Sequence, residues 1–462
     1  MKKENSISRR SFLKSSAMVG AMGAMGTGSA AILTSCGEAG GEKAAAIKPL
    51  REPGTYYVPE LPDLATDGKE LKAGIIGCGG RGSGAGIDFL NAANGVTIVA
   101  IGDTFQDRVD SYAEKLKKDH NIDIPADKRF VGLDAYKQVI DSGVDVVIIA
   151  TPPNFRPIHF QYATEKGKHS FLEKPICVDP VGYRTIMATA KQAAAKNLCV
   201  ITGTQRHHKR DYVESYKQIM NGAIGEFTGG TVYWNQSMLW FRERQAGWND
   251  CEWMIRDWVN WKWLSGDHIV EQHVHNLDVF TWFTGLKPKT AVAFGSRQRR
   301  VTGDQYDNFS VDFEMENGIH MHSMCRQIDG CQNNVSEFIQ GTKGSWNSQT
   351  MEIKDLAGNV IWKYDAEAEK ANTKQQNPYV LEHVNWVNHI RAGKPIDQAS
   401  ETAVSNMAAI MGREAAYTGA MTTWDQMTAS NQDYLPKDLN LGKMDMTGFT
   451  VAVPGKPLEK KK

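Results

Sequence analysis

The feature that most constrains this chain is a glycine-rich turn set between a short apolar run and a helix-forming segment. Residues 71–76 are Val/Ile-type strand material, and Gly77-Cys78-Gly79-Gly80-Arg81-Gly82 follows at once. The next apolar run, 96–101, leads to Asp103, 21 residues beyond Gly82. GxGxxG alone is a weak signal. Between a strand and a helix, with an acid about 20 residues further on, it reads as a dinucleotide-binding fingerprint. Gly77 permits the tight turn, Gly79 lets the backbone approach a pyrophosphate, and Gly82 lets helix and strand pack closely. The phosphates then rest on the helix N-terminus, with Arg81 inside the turn. Asp103 accepts hydrogen bonds from the adenosine ribose. Its charge repels a 2′-phosphate, so NAD is expected rather than NADP.

Short apolar runs continue at 144–150, 169–172 and 198–202, and amphipathic segments such as 107–118 and 183–195 separate them. Buried strands alternating with helices imply a doubly wound parallel sheet over 71–203. After about residue 205 the pattern becomes alternating strands, at 227–235, 290–295, 337–340 and 360–364. Two more, 309–315 and 319–324, flank a Glu316-Asn317-Gly318 turn, a hairpin signal. Helices are expected at about 378–392 and 401–418. The chain therefore reads as α/β: an N-terminal doubly wound parallel sheet, then a C-terminal α/β domain (204–436) with a large, open, mostly antiparallel sheet. Residues 437–462 read as a tail.

Lys plus Arg equals Asp plus Glu, 53 each, with no basic block, so nothing electrostatic favours nucleic acid. No apolar run of membrane-spanning length follows residue 50. The seven cysteines form no CxxC and match no zinc spacing. Those beyond Cys36 read as small core residues; a Cys325–Cys331 disulfide is the alternative. Residues 1–36 read as an address. Ser8-Arg9-Arg10-Ser11-Phe12-Leu13-Lys14 is a twin-arginine export signal, and Leu33-Thr34-Ser35-Cys36-Gly37 resembles a bacterial lipobox. A periplasmic lipoprotein anchored at Cys36 is expected, with a soluble form cut near Ala30-Ala31 as the alternative. The twin-arginine route exports folded proteins, so a cofactor can be loaded before export. Residues 37–70 read as a linker.

The fourth strand leads to Ala150-Thr151-Pro152-Pro153-Asn154, then His159, then Lys166-Gly167-Lys168-His169-Ser170-Phe171-Leu172-Glu173-Lys174-Pro175. Over residues 70–435 this order of segments resembles the Gfo/Idh/MocA family, named for glucose–fructose oxidoreductase and inositol dehydrogenase. The resemblance implies that Thr151, Pro152, His159 and Glu173 lie around the cofactor. It implies that Lys174 lies near the nicotinamide and the reacting hydroxyl, where it can take or relay a proton.

Residues 266–285 read as one helix, capped by Asp267 and stopped at Gly285. At helical spacing Asp267, Glu271, His275, Asp278 and Trp282 share a face. Glu271 and His275 match the family's acid–base positions, with Glu for the usual Asp and His273 for the usual glycine between them. By that resemblance His275 is the general base and Glu271 orients it. His268, Glu271, His273 and His275 are zinc-ligand types. Their spacing fits no established zinc pattern and the family chemistry needs no metal, so none is expected.

Seven of the twelve tryptophans fall between Trp234 and Trp263. Flat indoles suit the C–H faces of a pyranose, which favours a carbohydrate substrate. Arg206, His207 and Arg256, beside Gln205, are candidate hydroxyl binders, and Trp263 a candidate stacking ring. The alternative is that the rings cover the sheet or form an oligomer interface; a homo-oligomer is expected. The resulting expectation is an NAD-dependent oxidoreductase moving hydride between a sugar or glycoside secondary alcohol and a tightly held cofactor. An NAD-dependent glycosidase, acting by oxidation, elimination, hydration and reduction, is the alternative. Retention of Lys174, Glu271 and His275 together argues against a non-catalytic sugar-binding protein.

Overall fold

The computed structural model describes Leu50, residues 56–437 and residues 439–456. The export signal, Cys36 and about half of the linker lie outside the described residues. Residues 56–70, expected as a linker, pack on the body instead: Ala65 is buried and the Tyr57 hydroxyl donates to Asn385 at 2.8 Å. The expected tail is also partly held, because Met444, Met446 and Phe449 join an apolar cluster and the Tyr306 hydroxyl donates to the Ala452 carbonyl at 3.0 Å.

Six parallel strands form the first sheet: β1 (Leu71–Ile76), β2 (Val96–Asp103), β3 (Arg129–Val131), β4 (Val146–Ile149), β5 (His169–Leu172) and β6 (Val200–Thr202). Their order is β3-β2-β1-β4-β5-β6. Every residue of β4 is buried, as a strand covered on both faces requires. Phe89, Tyr112 and Leu116 from helices Gly80–Leu90 and Gln106–His120 pack with Ala73 and Ile75 on one face. Phe160, Ile186 and Ala190 pack with Ile149 and Leu172 on the other. The strand order reverses between β1 and β4, and Gly77 leaves the sheet there, where such sheets open a ligand crevice. The three-residue edge strand β3 has no apolar run of its own and was not anticipated.

The second sheet has nine strands: β7 (Phe227–Gln236), β8 (Pro288–Ser296), β9 (Asn308–Met315), β10 (His320–Gln327), β11 (Asn334–Gly341), β12 (Gly344–Asn347), β13 (Glu352–Asp355), β14 (Val360–Lys363) and β15 (Thr422–Thr423). Their order is β14-β13-β12-β11-β7-β10-β9-β8-β15. Only β7 and β10 pair in parallel. The expected hairpin is present, with His320 opposite Glu314 and Gly318 at φ +84°. Burial alternates along β9 and β10, so one face is core and the other open. Helices Val274–Thr284 and Ala399–Thr418 cover the core face through Phe280, Met407 and Ile410. Val292, Phe294, Met324 and Val335 are exposed.

Helix Pro378–Ala392 returns to the first sheet. Its Val384, Trp386 and Val387 join the cluster around Ala73 and Ile75, and Trp386 Nε1 donates to the Cys199 carbonyl at 3.1 Å. Cys78, Cys177, Cys199, Cys251 and Cys325 are buried free thiols and Cys331 is an exposed one, so Cys325 and Cys331 do not pair.

Residues 266–285 are not one helix. His268–Glu271 and Val274–Thr284 are separate pieces. In a continuous helix the Glu271 carbonyl would accept the His275 N–H. Here Lys174 Nζ takes that carbonyl at 2.6 Å, and His275 N–H turns to the Gln272 carbonyl at 3.2 Å. Helical spacing therefore does not carry across the break. Asp267 points into the core, accepting from Tyr306 N–H at 2.9 Å and from the Tyr417 hydroxyl.

Burial holds His159 and His273 down to about 3, and drives His208, His275 and His383 well below imidazole's ordinary value. In the unfolded chain these groups take a proton near pH ~6.5. Below that pH the unfolded state binds more protons than the folded one, so stability falls as pH falls. His207 shifts the other way and offsets a part of this. The thermal unfolding midpoint, followed by calorimetry, should drop by several degrees between pH ~7.5 and ~5.5. An unchanged midpoint would contradict the burial of neutral imidazoles.

Candidate active site

The glycine turn is steep-walled on one side and open on the other. A Cβ at Gly77, whose φ is +99°, would lie 2.8 Å from the Ala150 backbone. At Gly82 it would lie 1.8 Å from the Gly77 carbonyl. At Gly79 or Gly80 it would meet nothing within 4 Å. The first pair holds strand to helix, and the second faces a cavity of about 450 Å³ bounded also by Arg108, Pro152, Trp240 and Trp258. This bare cradle at a helix N-terminus fits a dinucleotide's diphosphate. Asp103 lies beside it, its carboxylate accepting Cys78 N–H at 2.7 Å and Phe105 N–H at 3.0 Å. Burial raises the Asp103 pKa against the lowering effect of those amides.

Thr151 follows β4 and His159 lies on the next helix, Arg156–Glu165; the two are joined at 3.1 Å, with the imidazole stacked on Tyr136 at 4.1 Å. The Arg81 side chain, on the wall of the glycine-turn cavity, is held by three carboxylates. It pairs with Glu173, with Asp88 at 3.1 Å and with Glu382 at 3.3 Å. Glu173 also accepts Lys174 N–H at 3.1 Å, so the glycine turn and the Glu-Lys-Pro segment are linked through Arg81.

Two residues that sequence reasoning missed fix this segment. Buried Arg156 donates to the carbonyls of Thr151 at 2.8 Å, Glu173 at 3.0 Å and Pro175 at 2.7 Å. The Asn406 side-chain oxygen accepts Ile176 N–H at 2.7 Å. Nothing local in the sequence separates Arg156 from a surface arginine; only its burial does.

Lys174 Nζ donates to both the carbonyl and, at 3.2 Å, the carboxylate of Glu271. An ammonium has three protons, so one remains for another acceptor. Glu271 Oε2 is buried without a partner among the described residues. His275 makes no ring hydrogen bond among the described residues; its imidazole stacks on Trp234, 5.5 Å between centroids at 22°. Burial first, then the charges of Lys174, Arg206 and Arg81, hold His275 far below its ordinary pKa and keep it neutral. Arg206 lies 5.4 Å from the Trp234 ring, with its Nη2 3.7 Å from Glu337. Arg206 Nη1 and Trp234 Nε1 are buried and unpaired among the described residues. Buried polar atoms normally have partners, and these two have none among the described residues.

Several sequence expectations need correction. Glu271 pairs with Lys174 rather than His275, because the helix break turns the imidazole towards Trp234. His207 points the other way, bonded to Asp278 at 2.7 Å and stacked on Trp282 at 4.1 Å. It lines a separate cavity of about 660 Å³ whose walls include neither Lys174 nor His275. Arg256 pairs with Asp107 and Glu252, both at 2.9 Å, over the Phe105 ring, on the wall of the glycine-turn cavity. Trp263, 2% exposed, meets Phe155 edge-on at 6.1 Å in an apolar cluster that also holds Trp261. Of the tryptophan-rich stretch, only Trp234 stacks on His275. The four zinc-type side chains diverge: His268 bonds Asp267, His273 bonds Ser323, and Glu271 and His275 part at the break.

Known proteins share this fold and its two-part organisation. A model of the oxidoreductase family with an NAD-binding Rossmann fold (Gfo/Idh/MocA) matches residues 71–203, and the Gfo/Idh/MocA C-terminal domain model matches 212–347. A twin-arginine translocation signal model matches residues 6–26. The inositol 2-dehydrogenase of Salmonella typhimurium is 25% identical over 334 residues, 70% of this chain and 87% of that protein. A glycosyl hydrolase family 109 protein of Streptomyces coelicolor is 27% identical over 232 residues, 50% of this chain but only 45% of that relative. Scyllo-inositol dehydrogenase from Lactobacillus casei, solved with bound NAD(H) and scyllo-inositol, shares the fold, with TM-score 0.57 and 20% identity over 77% of this chain and 99% of that one.

The cradle gives a paired test. Gly79→Ala should leave the unfolding temperature unchanged and weaken dinucleotide binding by about tenfold or more, because its Cβ fills only ligand space. Gly82→Ala should lower the unfolding temperature by several degrees through its clash with the Gly77 carbonyl. Calorimetry and NAD titration read both. Equal effects from the two variants would refute the division.

Proposed function

The chain belongs to the Gfo/Idh/MocA oxidoreductase family and binds NAD, and from this premise we propose that it is an exported dehydrogenase of a secondary alcohol in a sugar, cyclic polyol or glycoside. The observation that carries this is the buried Lys174–Glu271 pair beside a neutral His275. Bound NAD supplies the hydride acceptor. A neutral imidazole can accept the alcohol proton at neutral pH. Lys174, fixed by the Glu271 carbonyl and carboxylate, keeps one N–H with which to stabilise the developing alkoxide. Arg206 and Trp234 supply hydroxyl and ring contacts around it. The name of the inositol dehydrogenase relative, which aligns with 70% of this chain, favours a ring polyol or sugar.

Net glycoside hydrolysis is the second reading, favoured by the family 109 relatives that align with half of this chain. The same Lys174 and His275 would handle the protons, with no net redox change. The signal sequence directs export; Cys36 anchors the mature chain as a periplasmic lipoprotein; and a cofactor loaded before export is held through turnover. The open face bearing Val292 and Phe294 supports a homo-oligomer.

Purified enzyme incubated with inositols, disaccharides and aryl glycosides separates the readings. A keto product indicates the dehydrogenase, and a free reducing sugar with released aglycone indicates the hydrolase. In either case Lys174→Ala and His275→Asn should each lower kcat by about 10²–10⁴-fold with a smaller change in KM. Undiminished turnover in both variants would refute the assignment.

A further inference from the structure

We propose that the C-terminal strap, residues 430–437 and 439–449, is part of the dinucleotide site and that Leu435, Pro436 and Leu439 form a wall against the adenine base. The inference rests on the NAD-binding reading and extends it to a segment beyond the residues matched by either family domain model.

A second cavity, of about 310 Å³, adjoins the glycine-turn cavity and shares Asp103, Thr104 and Thr151 with it. If the diphosphate lies on the glycine turn and the ribose on Asp103, the next group along the cofactor enters this second cavity. Its lining includes Leu133, Tyr136 and Phe155 of the first domain together with Leu435, Pro436 and Leu439 of the strap. Flat apolar walls suit the faces of a purine. Asp134 and Lys437 at the margin can meet its polar edge. Lys174 and His275 are not among the lining residues, which is why the adenine end, rather than the reacting ring, belongs here.

The strap is tied down on both sides of this span. Before it, Tyr434 N–H donates to Asp179 at 2.9 Å, the Tyr434 hydroxyl donates to Glu414 at 2.9 Å, and Arg413 lies 4.9 Å from its ring. After it, Met444 N–H donates to Asp250 at 3.1 Å, and Cys251 N–H donates to the Gly442 carbonyl at 3.2 Å. Met444, Met446 and Phe449 pack into the apolar cluster with Trp261 and Trp263. The strap is thus fixed where it lines the cavity, and its loss should speed cofactor release.

The test compares full-length wild type with Leu435→Ser/Leu439→Ser, titrated with NAD, AMP and nicotinamide mononucleotide. NAD and AMP should bind about tenfold or more weakly to the variant, and nicotinamide mononucleotide within about twofold of wild type. Co-purifying NAD should also be lost faster on gel filtration. If AMP and nicotinamide mononucleotide weaken together, or if neither changes, the strap is not an adenine wall. Should the serine variant fail to fold, Leu435→Phe keeps the apolar packing, narrows the cavity and must show the same split between AMP and nicotinamide mononucleotide. Wild type that bound none of the three probes would instead remove the dinucleotide reading itself.

Discussion

The contact on which the rest of the site depends is the Lys174 ammonium lodged on the Glu271 carbonyl. One hydrogen bond connects the end of the parallel sheet to the first helix of the second sheet's core. It also takes an acceptor away from a helix, and the helix responds by parting. A charged donor against a peptide carbonyl in a buried setting outweighs the neutral amide bond that it replaces. The break then sets the direction of everything downstream. His275 faces Trp234, and Asp278 pairs with His207 on the far side. The Glu271 carboxylate completes the lysine's coordination instead of steering the imidazole.

Charge is handled around this contact by pairing rather than by exposure. Arg81 is surrounded by Glu173, Asp88 and Glu382, and Arg156 by three carbonyls. Buried ions left unpaired are costly, and removing one partner costs more than never having had the pair. These networks join the glycine turn, the end of β4 and the Glu-Lys-Pro segment into one rigid unit. Such rigidity is what positions reacting groups to within fractions of an ångström.

The glycine turn was legible because its demands are local. Gly77 needs a positive φ and Gly82 needs contact with its own strand, and both follow from residues within one turn. The Glu316-Asn317-Gly318 hairpin was legible for the same reason. The parting at Gln272 was not, because its cause, Lys174, is 97 residues from Glu271 in sequence. Counting tryptophans found a dense stretch but not the direction of each ring. Trp263 fell into the core and Trp234 beside His275 because strand register and helix packing, not abundance, decide orientation. Arg206, Arg256 and His207 carry the same residue-level signal, and only their partners tell them apart: Glu337, Asp107 and Asp278.

The return of helix Pro378–Ala392 to the first sheet bears on the order of events during synthesis. Ala73 and Ile75 are made early, yet the side chains that cover them, Val384, Trp386 and Val387, leave the ribosome some three hundred residues later. The nucleotide-binding half therefore cannot complete its core as a nascent domain; it waits, partly uncovered, for the last quarter of the chain. A transport route that accepts only finished proteins suits such a molecule.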